Sequence, residues 1–513
     1  MRTTQRFVLA LTAGALVTSA CGARLTAGQR AEALSQHGGG GGSSQNQADG
    51  STGGAPVLSG TTGAVTGPVG GSTTAGTTGA VTPGTTGSTT GQAGTSTSGG
   101  PARTDQWQGL PAGGNGGVTD VGVTSNSIVV GNVSDVTGAV PGLFEDARFA
   151  VQAYARYFNA RYPGGIYGRH LVVEALDSQL DTGAARAASI QACNDTFAGV
   201  GSISAFDQGA APAIAACKSK GGPYPDLRGL ATTDQMKAVA NAFPMQASGT
   251  GNNRSLGQYG WVADKFPSAV KKAVFAFSDG EVTRQNAQQD IEATKNILGF
   301  NWVDQIPIAT TETNYSPAAQ QIKSDGATYV TFVGAYQQAA NLARAMAQFN
   351  FHPQVYMPTV TAYTPNFLAQ AGDTVEGGNV FLAMPTSLIE EMSTNPELAT
   401  YAQWLQQVKP GALPTSLGQF AWAAAGLFVQ EAIAVGPNLT RGALIAKVKG
   451  VHAWPTNGLY PANDVGGKRM TDCVVVVNIR NSKFNRFLPS SSFRCQDGIY
   501  DLRTKKKIPG YPK

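Results

Sequence analysis

Residues 159–171 read Asn-Ala-Arg-Tyr-Pro-Gly-Gly-Ile-Tyr-Gly-Arg-His-Leu, and Asp177 follows after the next apolar run. A periodic stretch at 143–162 leads into this segment, with Ala147, Ala150, Val151, Tyr154 and Phe158 on one face at helical spacing. A strand pattern leads out of it at 170–176. Between the two, a helix must stop and reverse into a strand, and the glycines supply the positive φ that the reversal needs. Upstream, residues 127–133 (Ser-Ile-Val-Val-Gly-Asn-Val) read as a buried strand. Downstream come a helix at 182–197, a strand at 199–203, a helix at about 208–218 and a strand at 226–231. A second series begins at 272: strand 272–277, helix 284–298, strand 302–308, helix 317–323, strand 328–333 and helix 337–349. Strands alternating with helices imply parallel sheets covered by helices on both faces. Two series in succession imply two α/β, Rossmann-like lobes. Ligands of such sheets bind beyond the carboxyl ends of the strands, which here means the cleft between the lobes.

The 513 residues exceed one ordinary core. Charged residues make up only 13 % of the chain, and there are 65 glycines. Both features are most marked in residues 38–117, a Gly/Ser/Thr/Ala stretch with repeated Thr-Thr-Gly units in which only Asp49, Arg103 and Asp105 carry charge. Such a segment cannot bury enough surface to fold and reads as a flexible tether. The formal net charge is +5, with no basic stripe interleaved with aromatics, so nucleic acid is not an expected partner. Arg503, Lys505, Lys506, Lys507 and Lys513 read as a solvated basic tail over 501–513.

At the N-terminus, Arg2 and Arg6 precede an apolar run at 7–17, too short to span a bilayer but suited to the core of a signal peptide over residues 1–20. Thr18, Ser19, Ala20, Cys21 and Gly22 follow, which looks like a bacterial lipobox with threonine in place of the usual leucine. Cys21 is therefore the expected lipidation site, and 21–117 the tether of a protein anchored to the cell membrane on its extracytoplasmic side. No other segment is apolar enough to cross a membrane. The remaining cysteines, Cys193, Cys217, Cys473 and Cys495, are an even set in an exported chain, and their spacings predict the disulfides Cys193–Cys217 and Cys473–Cys495.

Catalytic signatures are missing. There is no phosphate loop, no Gly-x-Gly-x-x-Gly after a strand and no His-Glu-x-x-His. The histidines are His37, His170, His352 and His452, none with a catalytic neighbourhood. Ser268-Ala-Val-Lys271 matches Ser-x-x-Lys, but its companion motifs are absent. The reading is a binding protein with no catalytic residues, no metal and no cofactor.

The 159–171 segment resembles the Asn-(x)-Gly-Gly-Ile-x-Gly turn of type I periplasmic binding proteins, in the branched-chain amino acid (Leu/Ile/Val) class of ABC-transporter solute-binding proteins, where an Asp follows the next strand as Asp177 does here. Thr137-Gly138 sits in a loop similar to that family's Pro-Leu-Thr-Gly loop. Asn314-Tyr315-Ser316 is similar to its Asp-Phe-Ser, and residues 330–336 (Val-Thr-Phe-Val-Gly-Ala-Tyr) to its strand ending in Gly-x-Tyr. The resemblance spans about 125–478. It implies a type I periplasmic binding fold with three chain crossings at the hinge. Lobe 1 would hold 118–247 plus 375–454, and lobe 2 would hold 248–374 plus 455–500.

The resemblance also places the ligand site. Ala205, Phe206 and Asp207 occupy the loop that carries the family's ligand-binding serine, which this chain lacks. Thr232 and Thr233 match its Ala-x-Thr element, and either bind a carboxylate or amide or cap a turn. Tyr336 matches a tyrosine packed on the ligand. The family's acidic residue for a ligand ammonium should fall near Thr359 or Val360, and a tyrosine near Val282, and this chain has neither. Asp207 is then the one carboxylate placed for an amine. The implied function is capture of a small amino acid or amide-like solute for an ABC permease by a monomer. The alternative is a ligand-sensing lipoprotein of the same fold that feeds a signalling partner.

Overall fold

The computed structural model describes residues 114–246 and 251–512. The expected signal peptide, Cys21 and the expected tether through residue 113 lie outside the described residues. The first lobe contains β1 (Ser127–Ser134), β2 (His170–Asp177), β3 (Ala198–Val200), the short hairpin of β4 (Lys218–Ser219) and β5 (Gly222–Pro223), and β6 (Asp226–Leu227). Its main sheet is parallel, in the order β2–β1–β3–β6.

The Asn159 segment turns as its glycines require. The helix Glu145–Arg161 has Glu145 and Asp146 in its first turn and Arg161 in its last, matching the helix dipole, and it buries the apolar face read from the sequence. At the reversal Gly165 has φ +54°, and a Cβ there would lie 2.2 Å from the Arg169 carbonyl oxygen. Asn159 clamps helix to strand: its amide donates to the Leu171 carbonyl at 2.8 Å and accepts the Leu171 N–H at 2.9 Å. Arg169 is fully buried and donates to the carbonyls of Thr124, Pro437 and Gly117 at 2.7, 2.9 and 3.0 Å. The helix Ser416–Val435 is buried along most of its length in this lobe. Its Trp422 packs edge-on against Tyr154 with ring centroids 4.8 Å apart and donates to Glu397 at 2.6 Å.

β7 (Asn253–Ser255) leads into the second lobe, whose parallel sheet runs β11–β10–β8–β9 from β8 (Ala273–Ser278), β9 (Trp302–Ile308), β10 (Tyr329–Val333) and β11 (Val355–Pro358). β8 reads Ala-Val-Phe-Ala-Phe-Ser and is almost wholly buried, as a strand covered on both faces should be. β12 (Phe381–Met384), β13 (Val475–Arg480) and β14 (Lys483–Leu488) form an antiparallel sheet, and a parallel bridge from Tyr356 to Val380 joins it to the first.

The lobe boundaries differ from expectation in three places. Residues 375–384 belong to the second lobe, because β12 pairs with β13 and Val375, Val380, Leu382 and Met384 enter that core. Leu459, Tyr460 and Val465 instead pack in the first core. The C-terminus is not a loose basic tail: β15 (Ile499–Asp501) and β16 (Lys506–Ile508) form a hairpin that adds to β7, Tyr500 is fully buried, and Lys505 pairs with Glu292. Lys505, Lys506 and Lys507 of this hairpin are exposed, whereas Ile499 and Tyr500 are buried.

The chain therefore passes between lobes between Gln246 and Asn253, near Pro385, and near Met470–Cys473. Both expected disulfides are present, Cys193–Cys217 in the first lobe and Cys473–Cys495 at the start of β13. Among the described residues no helix is long and apolar enough to cross a membrane.

Candidate functional site

A cavity of about 450 Å³ lies between the lobes, and all eight strands of the two parallel sheets send residues to it from beyond their carboxyl ends. On the first lobe these are Val140 and Leu143 after β1, Leu180 after β2, Ala205 and Phe206 after β3, and Leu230 and Thr232 after β6. On the second lobe they are Ser278, Asp279, Gly280, Val282 and Thr283 around the end of β8, Thr310 after β9, Gly334 and Ala335 after β10, and Thr359 to Thr361 after β11. Gln246, Arg254, Gln258, Pro385, Met470 and Cys473 close the hinge side.

The first-lobe wall is apolar for a specific reason. Four of its loop N–H groups, those of Leu180, Ala205, Thr232 and Thr233, are already engaged by two of the chain's own carboxylates. Asp135, fully buried, accepts from Ser178 Oγ at 2.5 Å, Leu180 N–H at 3.1 Å, Ser204 Oγ at 3.1 Å and Ala205 N–H at 2.7 Å. Asp207, also fully buried, accepts from Thr232 N–H at 2.8 Å, Thr233 N–H at 3.0 Å and Thr233 Oγ1 at 2.5 Å, and lies 3.5 Å from the Arg228 guanidinium. The Thr232 hydroxyl donates to the Ser204 carbonyl at 2.8 Å. The loops after the first-lobe strands present Val140, Leu143, Phe144, Leu180, Phe206 and Leu230 to the cavity.

Of the residues expected at the site, Ala205, Phe206 and Thr232 line the cavity, whereas Asp207, Thr233 and Tyr336 do not. Asp207 points inward to hold its own loop. Thr233 caps the short helix Asp234–Lys237, its hydroxyl accepting the Met236 N–H. Tyr336 opens the helix Tyr336–Gln348 and packs on the second-lobe core, leaving Gly334 and Ala335 at the wall. Val282, Thr359 and Val360, where a tyrosine and an acid were sought, do face the cavity. Sequence reasoning missed Val140, Leu143, Leu180 and Leu230. The signal available was large apolar side chains in post-strand loops, where polar residues usually stand.

Four Lys, Arg or Asp side chains reach the cavity: Lys237, Arg254, Asp279 and Asp290. Asp279 pairs with Arg284. Asp290 accepts from Tyr259 at 3.0 Å, and burial raises its carboxyl pKa. Burial, followed by the neighbouring Arg254 charge, lowers the Lys237 pKa, while Asp234 3.2 Å away opposes that shift. No cavity carboxylate is therefore left unengaged for a ligand ammonium. Among the described residues no group of His, Cys, Asp and Glu is placed to hold a metal ion.

The family profile described as "Periplasmic binding protein" matches residues 127–483. No curated protein matches the chain. Among solved structures, similarity extends to a fatty acid ABC transporter substrate-binding protein from Thermomonospora curvata, at 18 % identity and TM-score 0.62, covering 78 % of this chain and 98 % of that one. It extends also to the branched-chain amino acid transporter substrate-binding protein LivJ from Streptococcus pneumoniae in complex with isoleucine, at 15 % identity and TM-score 0.59, covering 72 % and 100 %. An ABC transporter substrate-binding protein of Aeropyrum pernix aligns at 15 % identity and TM-score 0.60, covering 74 % and 99 %. With the profile spanning well over half its length and its two parallel-sheet lobes facing each other across a cleft, this chain belongs to the periplasmic binding protein family and has the type I fold.

Proposed function

We propose that this protein captures a small solute with a largely apolar body, outside the cytoplasm, and delivers it to an ABC-type permease. The observation that carries the reading is the first-lobe wall: Asp135 and Asp207 occupy the loop N–H groups, and Val140, Leu143, Leu180, Phe206 and Leu230 are left to meet the ligand. The cavity's size falls in the range of about 300–1,000 Å³ of small-molecule sites. The fatty acid and isoleucine named for two structural relatives are both solutes with apolar portions. Within that range an amino acid is less well supported here. Its ammonium would lose several kcal/mol of hydration without a free carboxylate.

Calorimetric titration with fatty acids of increasing length, alongside isoleucine, tests the reading. Each methylene buried should tighten binding by about 0.8 kcal/mol, about fourfold. Tight isoleucine binding with no response to chain length would overturn it. For the N-terminus we retain a lipid anchor on Cys21 with the Gly/Ser/Thr segment as tether. Changing Cys21→Ser should move the protein from the membrane fraction to the soluble fraction, and retention on the membrane would refute the anchor.

A further inference from the structure

Among the described residues, the buried arginines spend their donors, with one exception. Arg169 gives hydrogen bonds to three carbonyls. Arg441 gives them to the carbonyls of Phe197, Cys193 and Thr196 at 3.0, 2.7 and 2.6 Å. Arg228 is shared between the Leu230 carbonyl and Asp226. Arg254 is 8 % exposed, yet among the described residues its side chain donates a single hydrogen bond, from Nη2 to Asn286 at 2.8 Å. Its Nε is buried without a hydrogen-bond partner, and Asp290 is 3.9 Å from that atom, beyond hydrogen-bond reach. A buried guanidinium with an unpaired nitrogen is costly unless an anion arrives to use it.

The placement supplies the rest. Arg254 lies on β7, directly after the first passage between lobes, and lines the hinge end of the cavity together with Lys237, Gln258 and Asn286. The other charges around it are accounted for. Lys237 faces Asp234 at 3.2 Å, and Asp290 receives the Tyr259 hydroxyl at 3.0 Å and Gln258 at 3.5 Å. The same cavity is lined by the apolar side chains of Val140, Leu143, Leu180, Phe206 and Leu230, so it offers both a cationic and an apolar surface.

We propose that Arg254, supported by Lys237, receives a carboxylate head group of the solute whose apolar body lies along the Leu180–Phe206–Leu230 wall. The assignment rests on the apolar-solute reading given above and adds to it a head-group chemistry and a direction: head toward the hinge, tail between the lobe faces. A planar fork matches a carboxylate with two parallel hydrogen bonds, which a lysine would not reproduce.

The test is a calorimetric comparison of decanoate, 1-decanol and acetate on the full chain, repeated on Arg254→Met and Arg254→Lys. The wild-type protein should bind decanoate about 10- to 100-fold tighter than decanol, as charge-assisted hydrogen bonds allow. Arg254→Met should bring that ratio to about one while decanol affinity holds, and Arg254→Lys should keep part of it. The wild-type ratio needs no substitution, so a variant that fails to fold leaves the proposal testable. Equal wild-type affinities for decanoate and decanol overturn the head-group assignment and leave the apolar-solute reading standing. So does an unchanged ratio in Arg254→Met. Acetate that binds as tightly as decanoate overturns the tail placement. If neither ten-carbon compound binds, both the functional reading and this assignment fall.

Discussion

The Asp135 carboxylate accepts the Ala205 N–H at 2.7 Å, tying the loop after β1 to the loop after β3. Through Ser178 and Leu180 the same group holds the loop after β2. Asp135→Ala should therefore lower stability by about 2–4 kcal/mol, since several buried donors lose their acceptor together. The check is a urea midpoint at neutral pH, and an unchanged midpoint would show that other contacts set these loops.

Asp207 makes a second prediction. Its carboxylate holds both threonine N–H groups and neighbours Arg228, so Asp207→Asn should act on stability, by about 3–5 kcal/mol, because it leaves a buried cation short of charge. Ligands with and without an ammonium group should be affected alike. Selective loss of amine ligands would return Asp207 to the binding site.

Phe206 lines the cavity and is half-buried, so its ring is held mainly by what enters the cleft. Phe206→Ala should weaken binding of a ten-carbon acid by about tenfold or more, the scale of one aromatic contact surface. Its unfolding midpoint should stay near that of wild type, and an equal loss in both measurements would mark Phe206 as a core residue.

The disulfides close loops with sequence separations of 24 and 22 residues. Converting either pair to alanine should cost about 3 kcal/mol by restoring freedom to the unfolded chain. Differential scanning calorimetry of each double variant, with non-reducing peptide mapping of the parent, checks both the cost and the pairing.

Asp146 carries the pH prediction. Burial raises its carboxyl to about 6, from an unfolded value of 3.8. The folded state holds this proton more tightly, so the group's ionisation works against folding. Its penalty is absent below about pH 4 and grows as pH rises through about 6. Asp146→Asn should raise stability at pH 7 by about 1–2 kcal/mol and leave it little changed at pH 4. Denaturation curves at the two pH values decide it, and an equal effect at both would point to packing.

Much of the fold was legible because it depends on short-range patterning. The Asn159–Leu171 turn, the helical face of Tyr154 and Phe158, and the strands at Ser127 and His170 are each specified by a short local stretch, and right-handed crossovers then leave few topologies. The positions of the cleft followed too, since post-strand loops must meet there, and Ala205, Phe206 and Thr232 do. The cysteine pairing was legible from separation alone.

Tertiary structure decided the rest, in each case through partners far apart in the chain. Whether the Asp207 carboxylate meets a ligand or the Thr232 N–H depends on a contact across 25 residues, and the Asp135–Ala205 bond spans 70. β12 joins the second lobe because its free edge meets β13, nearly a hundred residues on. The basic C-terminus becomes a hairpin because β7 offers it a strand some 250 residues earlier. Arg254 stands out only once its environment shows its Nε unpaired beside an apolar cleft. Local sequence sets which groups exist and how the chain turns. Long-range packing in a medium that penalises every unpaired polar group sets which of them are consumed by the fold and which are left for the ligand.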